Sequence, residues 1–289
     1  MTSEDEIYSR DIFEQILTVH KRHYGDFDLG VIETVFGDVN DLFSGKRKGF
    51  QRCDTQYHDL RHTLQVVPPF IGIIDGWNSS GASPYISHDY FEMGIAAVLL
   101  HDTGYIKMSG DTGGTGGKYT FVHIHRSADF AEHYLPELGF EKRKVKSIRN
   151  IIMCTGVKVD INDLPFESAE EKIIGFTLGT ADLLGQMSAP DYLEKLYALF
   201  HEFNEAYHYE GKEKLKKAGI TIFESAEDLI RNTPDFYEVV VRERLESMGS
   251  VYASLSGNSR NPYIEAVEEN IGKIKKAFPR GLNSQTASY

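Results

Sequence analysis

Ala96-Ala97-Val98-Leu99-Leu100-His101-Asp102 is an unbroken apolar run that ends in a histidine and an acid. The apolar character extends back to about Asp89, and a segment that is apolar on every side reads as a helix buried inside a helical core. Gly104 supplies its terminator. An imidazole and a carboxylate are thereby carried to the edge of a buried segment, where Asp102 without a cation would be costly. The same dipeptide also opens this helix as His88-Asp89. There Ser87 or Asp89 suits capping, so that copy reads as structural.

Outward from this helix the apolar spacing stays helical. Ile7, Ile12, Phe13, Ile16 and Leu17 give an opening amphipathic helix that stops by Gly25, and Val31 to Phe43 gives a second. The third is expected to begin near Asp54 or Thr55, carry Tyr57 to Val67, and bend or break at Pro68-Pro69. Further helices fit Thr120 to Leu135, Lys142 to Cys154, Glu167 to Met187, Pro190 to Tyr209 and Pro234 to Met248, with one more from Asn261 to Phe278. No alternating strand ladder can be read, so the expected fold is all-α.

The chain has 289 residues, of which 41% are apolar and 12% aromatic, with no composition break near the middle. That is enough for one sizeable core. We expect a single helical domain over residues 1–250, its catalytic core about 50–210, followed by a helical extension and a disordered tail over 251–289, the polar Asn283 to Ser288 included. A formal charge of -12 argues against a surface built to neutralise a nucleic acid backbone. A small anionic substrate remains compatible, because a metal supplies positive charge locally. Cys53 and Cys154 form no CxxC pair, which excludes a thiolate zinc site. The N-terminus is acidic where a secretory signal would be basic, and no run of about 18 apolar residues occurs. The expectation is a cytoplasmic protein without membrane or nucleic acid partners.

His58 and His62 stand four apart, so on one helix both imidazoles would project from one face. Asp182 interrupts the apolar Leu178-Gly179-Thr180-Ala181-Asp182-Leu183-Leu184. A lone acid in such a run needs a cation, a donor or a polar cleft. Three apolar segments thus each offer a metal-type ligand.

The ordered set His62, His101-Asp102 and Asp182 resembles the HD superfamily of metal-dependent phosphohydrolases. Tyr57-His58-Asp59-Leu60-Arg61-His62 resembles the YHNxxH motif of its cyclic nucleotide phosphodiesterase branch. The resemblance spans about residues 50–210. It implies a multi-helix HD-domain or phosphodiesterase-like bundle, with a Zn, Mn, Fe or Mg ion held by His62, His101, Asp102 and Asp182. His58 would match the general acid that protonates the leaving oxygen. His123, in His123-Ile124-His125-Arg126, is similar to the histidine that many members use at a second metal or at the substrate phosphate. His125 competes as a substrate contact, and on a helix the two cannot face the same way; His123 is preferred.

The departures are specific. Tyr105 stands where the phosphodiesterase branch has the last residue of HDxxH, Asp59 replaces the motif asparagine, and no histidine lies near Cys154-Thr155. One tight ion and at most a weaker second are therefore expected. Mixed His and carboxylate ligation suits a transition metal better than calcium.

Other features carry less. The glycine-rich Ser109 to Gly117 fails the phosphate-loop pattern at Thr112 and Tyr119, and reads as a flexible lid. Lys46-Arg47-Lys48 and Lys142-Arg143-Lys144 read as solvated faces. His201 and His208 read as structural or surface residues. Gln186, one turn after Asp182, is a candidate substrate contact. The reading at this level is a phosphohydrolase acting on a phosphomonoester or phosphodiester, with a nucleotide as substrate, through metal-activated water and a histidine acid. The alternatives are a nucleotidase or nucleoside triphosphate hydrolase with the same centre, or a non-catalytic metal- or nucleotide-binding regulator.

Overall fold

The computed structural model describes residues 3–256 and 260–279, and every regular element among them is helical. The all-α expectation holds; the only strand-like pairing among the described residues is an isolated bridge between Phe50 and Met108. The principal helices are α1 (Ser3–Tyr24), α2 (Gly30–Phe43), α3 (Leu60–Gln65), α4 (Val67–Ser79), α5 (His88–Leu100), α6 (His123–Tyr134) and α7 (Lys142–Met153). They continue with α8 (Ala169–Met187), α9 (Tyr192–Glu210), α10 (Lys212–Lys217), α11 (Ala226–Asp235), α12 (Arg242–Ser247) and α13 (Pro262–Ala277). None of them is long and apolar enough to cross a membrane.

Helix α5 is the axis of the bundle. Every residue from Met93 to Leu100 is buried, and the helix packs against α2, α3, α4, α6, α7 and α8. Its apolar side chains stabilise by about 1.5–3 kcal/mol each when fully buried, and its C-terminal end opens into the interior. One apolar cluster joins α1, α2 and α4–α8; a second, built from α8, α9 and α11–α13, meets the first along α4 and α8. His101, Asp102 and Asp182 therefore lie within the bundle, not on its surface.

Three segments differ from expectation. The third helix starts at Leu60, not at Asp54 or Thr55. Asp59 is its N-cap, with Oδ1 accepting from the His62 N–H at 2.8 Å. Asp is among the strongest N-cap residues, so the helix opens there and leaves His58 in the lead-in. His58 and His62 do not share a helical face. The break expected at the proline pair does occur, at Val66: α3 ends at Gln65 and α4 opens at Val67, with Pro68 and Pro69 in its first turn, where a missing N–H costs nothing.

Towards the C-terminus, the helix expected from Pro234 begins earlier, at Ala226, where Ser225 caps Asp228. Pro234 cannot donate to the carbonyl four residues back, and a π-helical turn over Phe236–Val241 follows before α12. The glycine-rich segment, expected as a lid, is tied down. Thr115 bonds Glu205 through both its N–H and its hydroxyl, Gly116 donates to Asp54, and Lys107 and Lys118 donate to the Gly114 and Gly113 carbonyls. Helix α13 matches the expected Asn261 to Phe278 segment; the expected tail beyond residue 279 lies outside the described residues.

Candidate metal centre

The end of α5, the first turn of α3 and the middle of α8 meet at one point. Two glycines allow the approach. A Cβ at Gly185 would stand 2.9 Å from the Gln65 carbonyl oxygen, so only glycine lets α8 close on α3; a Cβ at Gly104 would stand 2.0 Å from the His123 carbonyl oxygen, so the turn after Asp102 presses on the start of α6. That turn is held by Gly104 N–H donating to Ser127 and by Arg126 Nε donating to the Gly104 carbonyl.

The donor atoms face one another closely. His101 Nε2 and His62 Nε2 stand 3.2 and 3.5 Å from Asp102 Oδ2, and 3.7 and 3.9 Å from Asp182 Oδ1. Ligands at about 2.0–2.1 Å from a common transition-metal ion would be about 3.0–3.4 Å apart, so the residues fit such an ion after a small contraction. Buried His101 Nε2 and Asp102 Oδ2 have no hydrogen-bond partner, and an uncompensated buried polar atom is costly. His62, His101 and Asp102 by themselves form a buried three-residue group able to hold a metal. The two carboxylates match the charge of a divalent ion.

Local bonds fix which nitrogen faces inward. His101 Nδ1 lies 2.7 Å from the Val98 carbonyl and His123 Nδ1 2.7 Å from the Thr120 carbonyl, so each carries its proton there and turns a lone pair at Nε2 to the interior. His123 Nε2 stands 3.8 Å from Asp102 Oδ1, the oxygen on the side away from His62 and His101. Burial, opposed by Asp102, holds His62 down at about 4 and His123 likewise at about 4, so both are neutral near pH 7. For His101 burial acts downward too, but Asp102 and Asp182 outweigh it and raise its pKa well above the usual value. Burial opposes ionisation of Asp102, yet the surrounding histidines, His101 first, keep its pKa low. Without an ion, His101 is the histidine of this cluster whose protonated form is favoured.

His58 lies beside this group. Its Nδ1 is 2.5 Å from Glu202 Oε2, while Glu202 Oε1 accepts from the Tyr57 and His58 N–H groups at 2.7 and 3.3 Å. Burial pushes the His58 pKa down, but Glu202, then Asp102 and Asp182, outweigh burial and raise it. Glu202, itself only 4% exposed, is held low by His58 and the two N–H groups against the opposing effect of burial.

The structure brings together His58, His62, His101, Asp102, His123 and Asp182. It leaves out His125, which is exposed roughly 200° around α6 from His123. Gln186 is spent within the protein: its Oε1 accepts from Tyr57 OH at 2.8 Å and its Nε2 donates to the Asp182 carbonyl at 3.1 Å. The same Nε2 lies 3.5 Å from Asp182 Oδ1. The second His-Asp dipeptide is elsewhere: Asp89 is exposed beside Lys144, and His88 stacks on Phe27 and packs against His20. Glu202 was missed by sequence reasoning, although it falls on the buried stripe of α9 with Leu196 and Ala206, a placement as telling as that of Asp182.

The family model described as Npun_R2479-like matches residues 3–275. No curated protein matches the chain. Among solved structures, the phosphodiesterase domain of the RhoPDE fusion protein from the choanoflagellate Salpingoeca rosetta is 14% identical; the match covers 96% of this chain and 92% of that one, with a TM-score of 0.57. A second structure, of the phosphodiesterase domain of Salpingoeca rosetta rhodopsin phosphodiesterase, is also 14% identical over 96% of this chain and 88% of that one, again with a TM-score of 0.57. The likeness is one of fold.

Proposed function

The chain belongs to the Npun_R2479-like family, and we propose that it is a metal-dependent phosphohydrolase of HD type that cleaves a small phosphodiester. The observation that carries this reading is the cluster of His62, His101, Asp102 and Asp182, with two orphaned buried donors, set beside a histidine whose far nitrogen is fixed by a buried carboxylate. The phosphodiesterase domains that share the fold support it. A divalent ion at the four donors would supply Lewis acidity, making water a stronger nucleophile near neutral pH and neutralising charge that builds on phosphoryl oxygens.

The chain's own groups do the rest. Glu202 accepts the Nδ1 proton of His58, so Nε2 is the nitrogen that exchanges a proton with the substrate. The raised His58 pKa keeps a protonated fraction near neutrality, and that proton passes from Nε2 to the leaving oxygen as the ester bond breaks. Tyr57 OH donates to Gln186, whose Nε2 lies 3.5 Å from Asp182 Oδ1.

Charge supports the diester over the nucleoside triphosphate reading. Lys107 is paired with Asp54, Lys118 with Asp111 and Lys195 with Asp59, while Arg126 is spent on the Gly104 and Ile106 carbonyls. With these cations engaged, a phosphoryl group of single negative charge suits the site better than a polyphosphate. The regulator reading leaves the His58–Glu202 pair without a purpose. His123 and Asp102 Oδ1 would give a second ion only two protein ligands, so it should be stripped by mild chelation.

The test is elemental analysis together with hydrolysis of bis(p-nitrophenyl) phosphate, p-nitrophenyl phosphate and ATP. The expected result is one tightly held transition-metal ion per chain and fastest turnover of the diester. A chain with no ion, and none taken up on reconstitution, would sink the site; ATP as the fastest substrate would overturn the diester reading alone.

A further inference from the structure

Tyr105 is 1% exposed and touches both histidines that flank the cluster. Its ring centroid is 4.2 Å from that of His58, with planes 13° apart, and 4.5 Å from that of His123, with planes 23° apart. The two imidazole centroids are 5.7 Å from each other. Ring faces in contact stand about 3.5 Å apart, so imidazoles on opposite faces of the phenol would be separated by about 7 Å. The observed triangle excludes a sandwich. Both imidazoles stack against the phenol ring.

The phenol is therefore a platform. Its hydroxyl is 3.4 Å from His58 Nε2, which is about the distance between two stacked planes. That contact is long for a hydrogen bond, and the hydroxyl also bonds the Thr120 side chain. The stack orients the His58 ring and leaves Nε2 no short bond to the phenol. On the other side, the close approach permitted by Gly104 brings the same ring under His123.

We propose that Tyr105 is a positioning residue whose ring, through stacking and not through its hydroxyl, fixes the plane of His58 and the gap between His58 and His123. The inference rests on the phosphohydrolase reading for its kinetic consequence, but the geometry has a readout of its own. Glu202 anchors one atom of His58, which leaves the ring free to pivot about that contact; a flat surface beneath it removes the pivot. A misplacement of about 1 Å at a reacting group costs on the order of 10²-fold in rate.

The experiment compares Tyr105→Phe and Tyr105→Leu in the metal-loaded protein. Phe keeps the platform and should retain turnover within about threefold of the parent, whereas Leu should lower kcat by about 10²-fold on an alkyl phosphodiester, with KM and metal content unchanged. On bis(p-nitrophenyl) phosphate, whose leaving group departs without a proton, the Leu penalty should shrink. Histidine side-chain NMR of the same proteins should show nuclear Overhauser contacts between His58 and His123 in the parent and the Phe variant, and their loss in the Leu variant. If Leu slows both esters equally, or Phe is as damaging as Leu, the platform proposal is overturned. Should the parent hydrolyse no phosphoester, the phosphohydrolase reading fails on its own, and the NMR contacts still decide the platform. Should the Leu variant fail to fold, the Phe variant decides: a large kcat loss there would assign the effect to the hydroxyl and refute the stacking role.

Discussion

Replacing Glu202 by Gln removes one charge from a buried pair and almost no volume. The carboxylate is 2.5 Å from His58 Nδ1, with His58 12% and Glu202 4% exposed at their side chains, so solvent screens the contact little. Losing a hydrogen bond between charged partners costs about 1.5–3 kcal/mol. The His58 pKa should therefore fall. Burial already pushes that pKa down, and Glu202 is the first of the groups that outweigh burial, ahead of Asp102 and Asp182; the direction of the change is fixed. A donor that must be protonated is lost as pH rises, so the alkaline limb of kcat on an alkyl phosphodiester should move towards acid. The Gln amide oxygen can still accept from the Tyr57 and His58 N–H groups, which keeps the lead-in to α3 folded. NMR titration of His58 in parent and variant gives the shift directly. An alkaline limb that stays in place in a folded variant, or one that moves equally with a nitrophenolate leaving group, would refute the assignment of His58 as proton donor and Glu202 as its anchor.

Further outcomes follow from the same geometry. Removing the imidazole by His58→Ala should leave metal content intact and slow an alkyl ester by about 10²–10⁴-fold, with a smaller penalty on a nitrophenyl ester; an emptied metal site would show that His58 is a ligand. Elemental analysis of Asp102→Ala and Asp182→Ala should find the ion gone, while Asp89→Ala, exposed beside Lys144, should retain it. In the metal-free chain His101 is raised well above its usual pKa by Asp102 and Asp182 despite burial. The stability this contributes is complete below the unfolded value near about 6.5 and is lost as pH rises through the folded value. His62 and His123, held at about 4, are neutral across that range and add no slope. Thermal melts from pH 7 to 8.5 should therefore show the gap in Tm between metal-loaded and metal-free protein widening with pH; a constant gap would mean that the ion does not replace the proton on His101.

The fold was legible where one face or the whole surface of a segment decides its fate. The run from Ala96 to Leu100 is apolar all round, and only the middle of a bundle can accept it; α1 and α2 show the apolar stripe of helices that lie on a core. Legibility ended where a single side chain competes for the backbone. Asp59 reads in the sequence as a replaced motif residue, but in the structure it is a cap, and its bond to the His62 N–H sets the start of α3 five or six residues later than expected. The same competition explains why the histidine pair was placed correctly in space for the wrong reason: one turn of helix and a capped lead-in both bring positions four apart within a few ångströms, and the ring centroids of His58 and His62 stand 5.1 Å apart.

The site divides in the same way. The proposed ligands could be found because each is a polar residue in an apolar setting, which is a property of the local sequence. The proposed supports could not, because the roles proposed for Glu202 and Tyr105 rest on contacts across the fold. Glu202 lies 144 residues from His58 along the chain, and a buried-stripe acid on α9 has no sequence mark that names its partner. Tyr105 was visible only as a missing histidine. A histidine there would have offered a nitrogen at the edge of the cluster, whereas a phenol offers a flat face, and the face is what His58 and His123 share. The substitution is thus better understood as exchanging a polar edge for a surface, which Gly104 makes possible by letting the turn come within contact of α6.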